Sequence, residues 1–105
     1  MIILKIAEEF SKKPGGALRK QGASSAEEFY ENHLEPKYLQ TRIGNDSLLI
    51  DLDDTNGYAH AFLAYAFGKL EVNHPGASEF IMFKSLDEPY LVLDIRDIFN
   101  EAKQR

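Results

Sequence analysis

Ser47-Leu48-Leu49-Ile50-Asp51-Leu52-Asp53-Asp54-Thr55-Asn56-Gly57-Tyr58-Ala59-His60-Ala61-Phe62-Leu63-Ala64-Tyr65-Ala66-Phe67-Gly68 carries the architecture of this chain. An apolar run, Leu48 to Leu52, meets an acidic turn containing Gly57, and an apolar helix follows from about His60 to Leu70. Four apolar residues within five positions predict a strand buried on both faces, as in a parallel sheet. Strand, turn and helix in this order place the turn at the carboxyl end of the strand, where open α/β sheets usually hold their sites.

Working outward, Ile2 to Ile6 predicts a first strand. Lys12-Lys13-Pro14-Gly15-Gly16 is turn chemistry, and Ala17 to Gln21 predicts a returning strand that completes an edge hairpin. Ser25 begins a helix, with Glu28 three residues on at capping-box spacing. Phe29, Tyr30, His33 and Leu34 form one face of that helix, and Pro36 is expected to end or kink it. Glu79 to Phe83 predicts a further strand beyond the loop Asn73-His74-Pro75-Gly76. A last helix starts at Asp87-Glu88-Pro89, its buried face made by Leu91, Val92, Ile95, Ile98, Phe99 and Ala102. The alternative for that segment is a short strand at Tyr90 to Leu93 with a helix only from Asp94. The order β-β-α-β-α-β-α predicts a small α/β domain spanning 1–105. It has a mixed sheet of about four strands, Leu48–Leu52 central, and its helices mainly on one face.

A chain of 105 residues supports one core, not two. Its net charge of −5, with scattered basic residues, argues against a nucleic-acid partner. It has no cysteine, hence no disulfide and no thiolate zinc site. No apolar run reaches membrane-spanning length and the first residues lack a signal-peptide pattern, so the expected location is the cytoplasm. His33, His60 and His74 lack metal-ligand spacing, and Gly15-Gly16 lacks the spacing and Lys-Ser/Thr of a phosphate loop. No cofactor is expected.

Two functional readings converge on the acidic turn. Asp51-Leu52-Asp53-Asp54-Thr55 after an apolar strand resembles the first motif of haloacid-dehalogenase-type phosphatases. That resemblance implies Asp51 as nucleophile, Asp53 as general acid and a magnesium ion held by both. Only 50 residues follow Thr55, too few for that family's later motifs.

The second resemblance spans nearly the whole chain. Pro14-Gly15-Gly16, Ser25-Ala26-Glu27-Glu28-Phe29, Leu34-Glu35-Pro36, Asp51-Leu52-Asp53-Asp54, Gly57-Tyr58, Phe62-Leu63 and Ala66-Phe67-Gly68 follow one another. In that order they resemble the bacterial STAS-like domain family of unknown function, related to anti-anti-sigma factors. The resemblance implies a non-catalytic regulatory domain that binds a protein, such as a histidine-kinase-like ATPase or another regulator. In anti-anti-sigma factors a serine at the start of the second helix is phosphorylated. Here that family's serine pair is replaced by His60-Ala61, and the acidic pair of its helix by Ala64-Tyr65. Constitutive binding, or regulation through the partner's own state, is therefore expected.

Leu63, Ala66, Phe67 and Leu70 make the stripe that faces the sheet. Phe62 and Tyr65 point elsewhere, and Ala61 and Ala64 leave that side without charge. Tyr58, His60, Ala61, Phe62 and Tyr65 are thus the expected contact surface, for a protein partner or for a second copy of the chain; the equal alternative is that a helix apolar nearly all round is simply buried in the core.

Overall fold

Three short strands pair in chain order. In the computed structural model, which describes Met1–Arg105, β1 (Ile2–Lys5), β2 (Leu48–Asp51) and β3 (Ile81–Lys84) form one sheet with β2 in the middle. Both pairs are parallel. Leu4 stands beside Ile50 and Ile50 beside Phe83, while Lys5, Asp51 and Lys84 form the last row. The central place of β2 agrees with its apolar run; the sheet is all-parallel with three strands where a mixed sheet of about four was expected.

The missing strand has a physical reason. Ala17–Gln21 is a loop with one 3-10 turn, Arg19–Gln21, because its backbone is used elsewhere. The carbonyls of Gly16 and Ala17 accept from Ala26 N and Glu27 N, both at 2.9 Å, satisfying free donors at a helix start. Gly15 N donates to Ser24 O at 2.8 Å. The approach is so close that a Cβ on Gly15 would lie 2.5 Å from the Ala23 carbonyl oxygen.

A short helix, α1 (Ile6–Glu9), continues directly from β1. The next helical rod starts at Ser25, whose Oγ accepts from Glu28 N at 3.1 Å. It comprises α2 (Ala26–Phe29), one wide π turn (Tyr30–Leu34) and α3 (Glu35–Ile43). Pro36 does not end it. Proline has no N–H to return to the preceding turn, and the wide turn immediately before it absorbs that mismatch. Then come α4 (His60–Asn73) and α5 (Tyr90–Lys103), the latter with Pro89 at its N-cap. No strand forms at Tyr90–Leu93.

Two right-handed crossovers that step the same way along a sheet put their helices on the same side. The burial pattern shows that arrangement. Leu4, Leu48, Ile50 and Ile81 belong to the core, with Ile2 and Phe83 packed against it. The alternate residues face outward: Ile3 is 54% and Met82 44% exposed, and Leu49 between them is half-buried. The expectation that β2 is covered on both faces is thus corrected: helices cover one face only. Under that face the aromatic rings run in two groups. Phe67, Phe83 and Phe99 bridge β3 to α5, with Phe67–Phe83 centroids 5.4 Å apart. Phe10, Phe29 and Phe62 lock α2 to α4. No helix is long and apolar enough to cross a membrane.

Candidate functional site at the carboxyl ends of the strands

The ladder between β2 and β3 runs one residue past the strands, through Leu52 N to Lys84 O at 2.8 Å. The chain then turns sharply, and its carboxylates hold the turn. Asp51 and Asp53 are each 6% exposed. Asp51 Oδ1 accepts from Asp53 N at 3.0 Å, and Oδ2 lies 3.6 Å from Lys84 Nζ. Asp53 reaches across to the loop after β3, where Oδ1 accepts from Leu86 N at 2.7 Å and Asp87 N at 2.9 Å. Asp87 returns the contact by accepting from Asp54 N at 3.0 Å. Asp54, with φ at +69°, also meets Lys5 at 3.3 Å. This lattice clips the 53–57 loop to the 85–88 loop over a separation of more than thirty residues.

Both carboxylates on which the magnesium alternative rests are therefore engaged. Asp53 retains one oxygen, Oδ2, without a hydrogen-bond partner, but no three acidic or imidazole side chains converge to hold a metal. The sequence singled out Asp51 and Asp53 correctly as a pair at the strand end; the structure gives them the work of bracing two loops.

Tyr58 closes the turn from beneath. Its hydroxyl donates to Leu52 O at 2.8 Å. Burial, above all, pushes its pKa up to about 12, so the phenol stays neutral and the hydrogen bond persists through the physiological range. α4 begins immediately after, and its N-cap is Ala59, which offers no side-chain acceptor. The carbonyl of Ala59 takes the N–H groups of Phe62 and Leu63. The first-turn N–H groups of His60 and Ala61 are left to solvent, at the positive end of a 14-residue helix.

The five expected contact residues separate here. His60 and Ala61 are exposed, and Tyr58 and Tyr65 are half-buried. The Tyr65 hydroxyl accepts from Lys69 Nζ at 3.2 Å. Phe62 is the correction: it is fully buried, its ring 5.5 Å from Phe29, 6.0 Å from Tyr58 and 6.2 Å from Phe10. The buried stripe of α4 is two residues wide (Phe62 and Leu63, Ala66 and Phe67, Leu70 and Glu71) because the helix packs on α2 and α5 as well as on the sheet. Phe62 supports the surface from below and cannot itself meet a partner.

Two residues at this end were not singled out from the sequence. Leu86, on the loop that Asp53 and Asp54 clip, is 74% exposed, and Tyr90, the first residue of α5, is 56% exposed. Glu88, hydrogen-bonded to the Tyr90 hydroxyl, approaches Gly57, whose Cβ position lies 3.6 Å from Glu88 Oε1. Apolar side chains in a Leu-Asp-Glu-Pro-Tyr turn were a usable signal, since turns ordinarily carry polar residues.

A small α/β domain with a bare helix start and a lattice of carboxylates at the carboxyl ends of parallel strands is the class defined so far. The family model of the STAS-like domain of unknown function (DUF4325) matches residues 25–91, from the Ser25 cap to the second residue of α5, and the chain belongs to that family. No curated protein and no solved structure matched the chain.

Proposed function

We propose that this domain is a non-catalytic regulatory module that docks a protein partner on the end of the molecule formed by the start of α4 and the loop before α5. The contact surface is Tyr58, His60, Ala61 and Tyr65, extended by Leu86 and Tyr90. The observation that carries the reading is the exposure of Leu86 and Tyr90 beside a helix start that has no side-chain cap. Large apolar side chains rimmed by Asp54, Asp87 and Glu88 have the make-up of an interaction patch, and the uncapped N–H groups offer an acceptor-bearing partner two donors.

A histidine-kinase-like ATPase, or another regulator, is the partner class that the resemblance to anti-anti-sigma factors suggests. A phosphate would suit this helix start electrostatically, but Ala61 has no hydroxyl and His60 stands where a serine would accept it. Binding is then constitutive, or follows the partner's own nucleotide state. The test recovers tagged wild-type chain and a Leu86→Asp variant from the native cells, with and without ATP. A partner held by wild type and lost from Leu86→Asp, with no phosphate gained on the intact chain, is the expected result. Equal recovery by both forms would move the surface elsewhere. A phosphate mapped to His60 would restore the switch.

A further inference from the structure

At the opposite end of the molecule, where α4 and α5 both finish, lies a cleft of about 420 Å³ lined by Glu71, Gly76, Glu79, Ala102, Lys103 and Arg105 among others. Its volume falls in the range of small-molecule sites. Glu71 is 3% exposed, an unusual burial for a carboxylate. One oxygen, Oε2, accepts from Gly76 N at 2.6 Å; the other, Oε1, has no partner. Leaving a buried charged acceptor unmatched is costly, so an orphan of this kind requires an explanation. Glu79 lies on the same wall, its Oε2 3.9 Å from the Gly76 Cβ position. Lys103, the last residue of α5, and Arg105 just beyond it line the same cleft. None of Glu71, Glu79, Lys103 and Arg105 forms an ion pair. The cleft thus holds two acids and two cations that do not neutralise one another.

We infer that this cleft binds a small zwitterion of the amino-acid class, its ammonium on Glu71 and Glu79 and its carboxylate on Lys103 and Arg105. An ammonium supplies three donors, enough for Glu79 and for the Glu71 oxygen, which is closed to solvent and meets it once the side chain turns toward the cleft, and charge-assisted bonds of this kind are the strong ones. A divalent cation is the poorer occupant, since no third acidic or imidazole ligand converges. The site is remote from the surface at the start of α4 and does not depend on it.

Isothermal titration calorimetry of the whole chain tests this, with glycine, lysine, glutamate and β-alanine as probes and with acetate, methylammonium, magnesium and calcium as one-ended controls. At least one amino acid is expected to bind saturably in the millimolar range or tighter, with acetate and methylammonium each silent. Glu71→Gln keeps the bond from Gly76 through its amide oxygen, and is expected to weaken binding about ten-fold or more through loss of a charge-assisted contact. Lys103→Glu, at an exposed position, is expected to do the same without touching the core, and it carries the test if Glu71→Gln does not fold. Silence of every amino acid, unchanged affinity in Lys103→Glu, or heat from a divalent cation alone would overturn the inference.

Discussion

Phe62 and Tyr65 are separated by less than one helical turn, yet they belong to different environments. Phe62 fills the junction between α2 and α4, whereas Tyr65 lies against the edge of the core with its hydroxyl toward Lys69. Their truncations should therefore separate stability from binding. Phe62→Ala is expected to lower unfolding free energy by about 3–5 kcal/mol, the usual cost of emptying a buried aromatic site. Tyr65→Glu is expected to cost about 1 kcal/mol or less, because a glutamate four residues before Lys69 recovers part of the loss through an i,i+4 pair, while partner recovery falls. Chemical denaturation of the two variants beside a binding assay checks both. If Tyr65→Glu unfolds the domain, the tyrosine is a core residue. Periodicity placed Leu63, Ala66, Phe67 and Leu70 in the core correctly, because those positions face the sheet. It could not place Phe62, whose burial depends on Phe10 and Phe29 arriving from other elements.

At the scale of elements, the same distinction decides what the sequence disclosed. Ser25 as a cap, the apolar run of β2, and the stripe of α5 are local signals, and each is where the pattern puts it, save that Val92 is only half-buried while Leu91, Ile95, Ile98, Phe99 and Ala102 are buried. The strand expected at Ala17–Gln21 fails because the carbonyls of Gly16 and Ala17 close the start of α2, a use of backbone that no side-chain pattern announces. The run through Pro36 also needed the wide turn at Tyr30–Leu34. That turn is tied to the end of α4 by a small polar network. Tyr30 donates to Glu35 Oε2 at 2.6 Å, His74 Nε2 meets the same oxygen at 2.8 Å, and Asn73 donates to the Tyr30 hydroxyl at 3.0 Å. The Tyr30 hydroxyl first, and then His74, hold the Glu35 carboxyl below its ordinary value of 4.5. A carboxyl whose folded pKa is depressed stabilises the fold above its unfolded value, and that contribution is lost as pH falls through the folded value. The melting temperature is therefore expected to drop as pH falls below 4.5, more steeply in wild type than in Glu35→Gln. Parallel curves for the two proteins would show that the network does not couple to folding.

For the whole molecule, the parallel order of three strands with the helices on one side gives two ends, each bearing one of the proposed sites. The carboxyl ends of the strands, with the starts of α4 and α5, carry the carboxylate lattice, the bare helix start, and the exposed Leu86 and Tyr90. The finishes of α4 and α5 carry the cleft around Glu71. The acidic turn was legible as the carboxyl end of a core strand because an apolar run leads into it. Its composition was not, since Asp53 meets Leu86 and Asp87 only once β3 has docked beside β2. The proposed protein-docking surface at the start of α4 is tested by site-specific photocrosslinking. A photoreactive side chain is placed at His60 in one sample and, as control, at exposed Lys20 outside the proposed surface, and both are irradiated in the native cells. A discrete protein adduct from position 60 and none from position 20 is the result this account predicts. No adduct from position 60, or the same adduct from both positions, would contradict it.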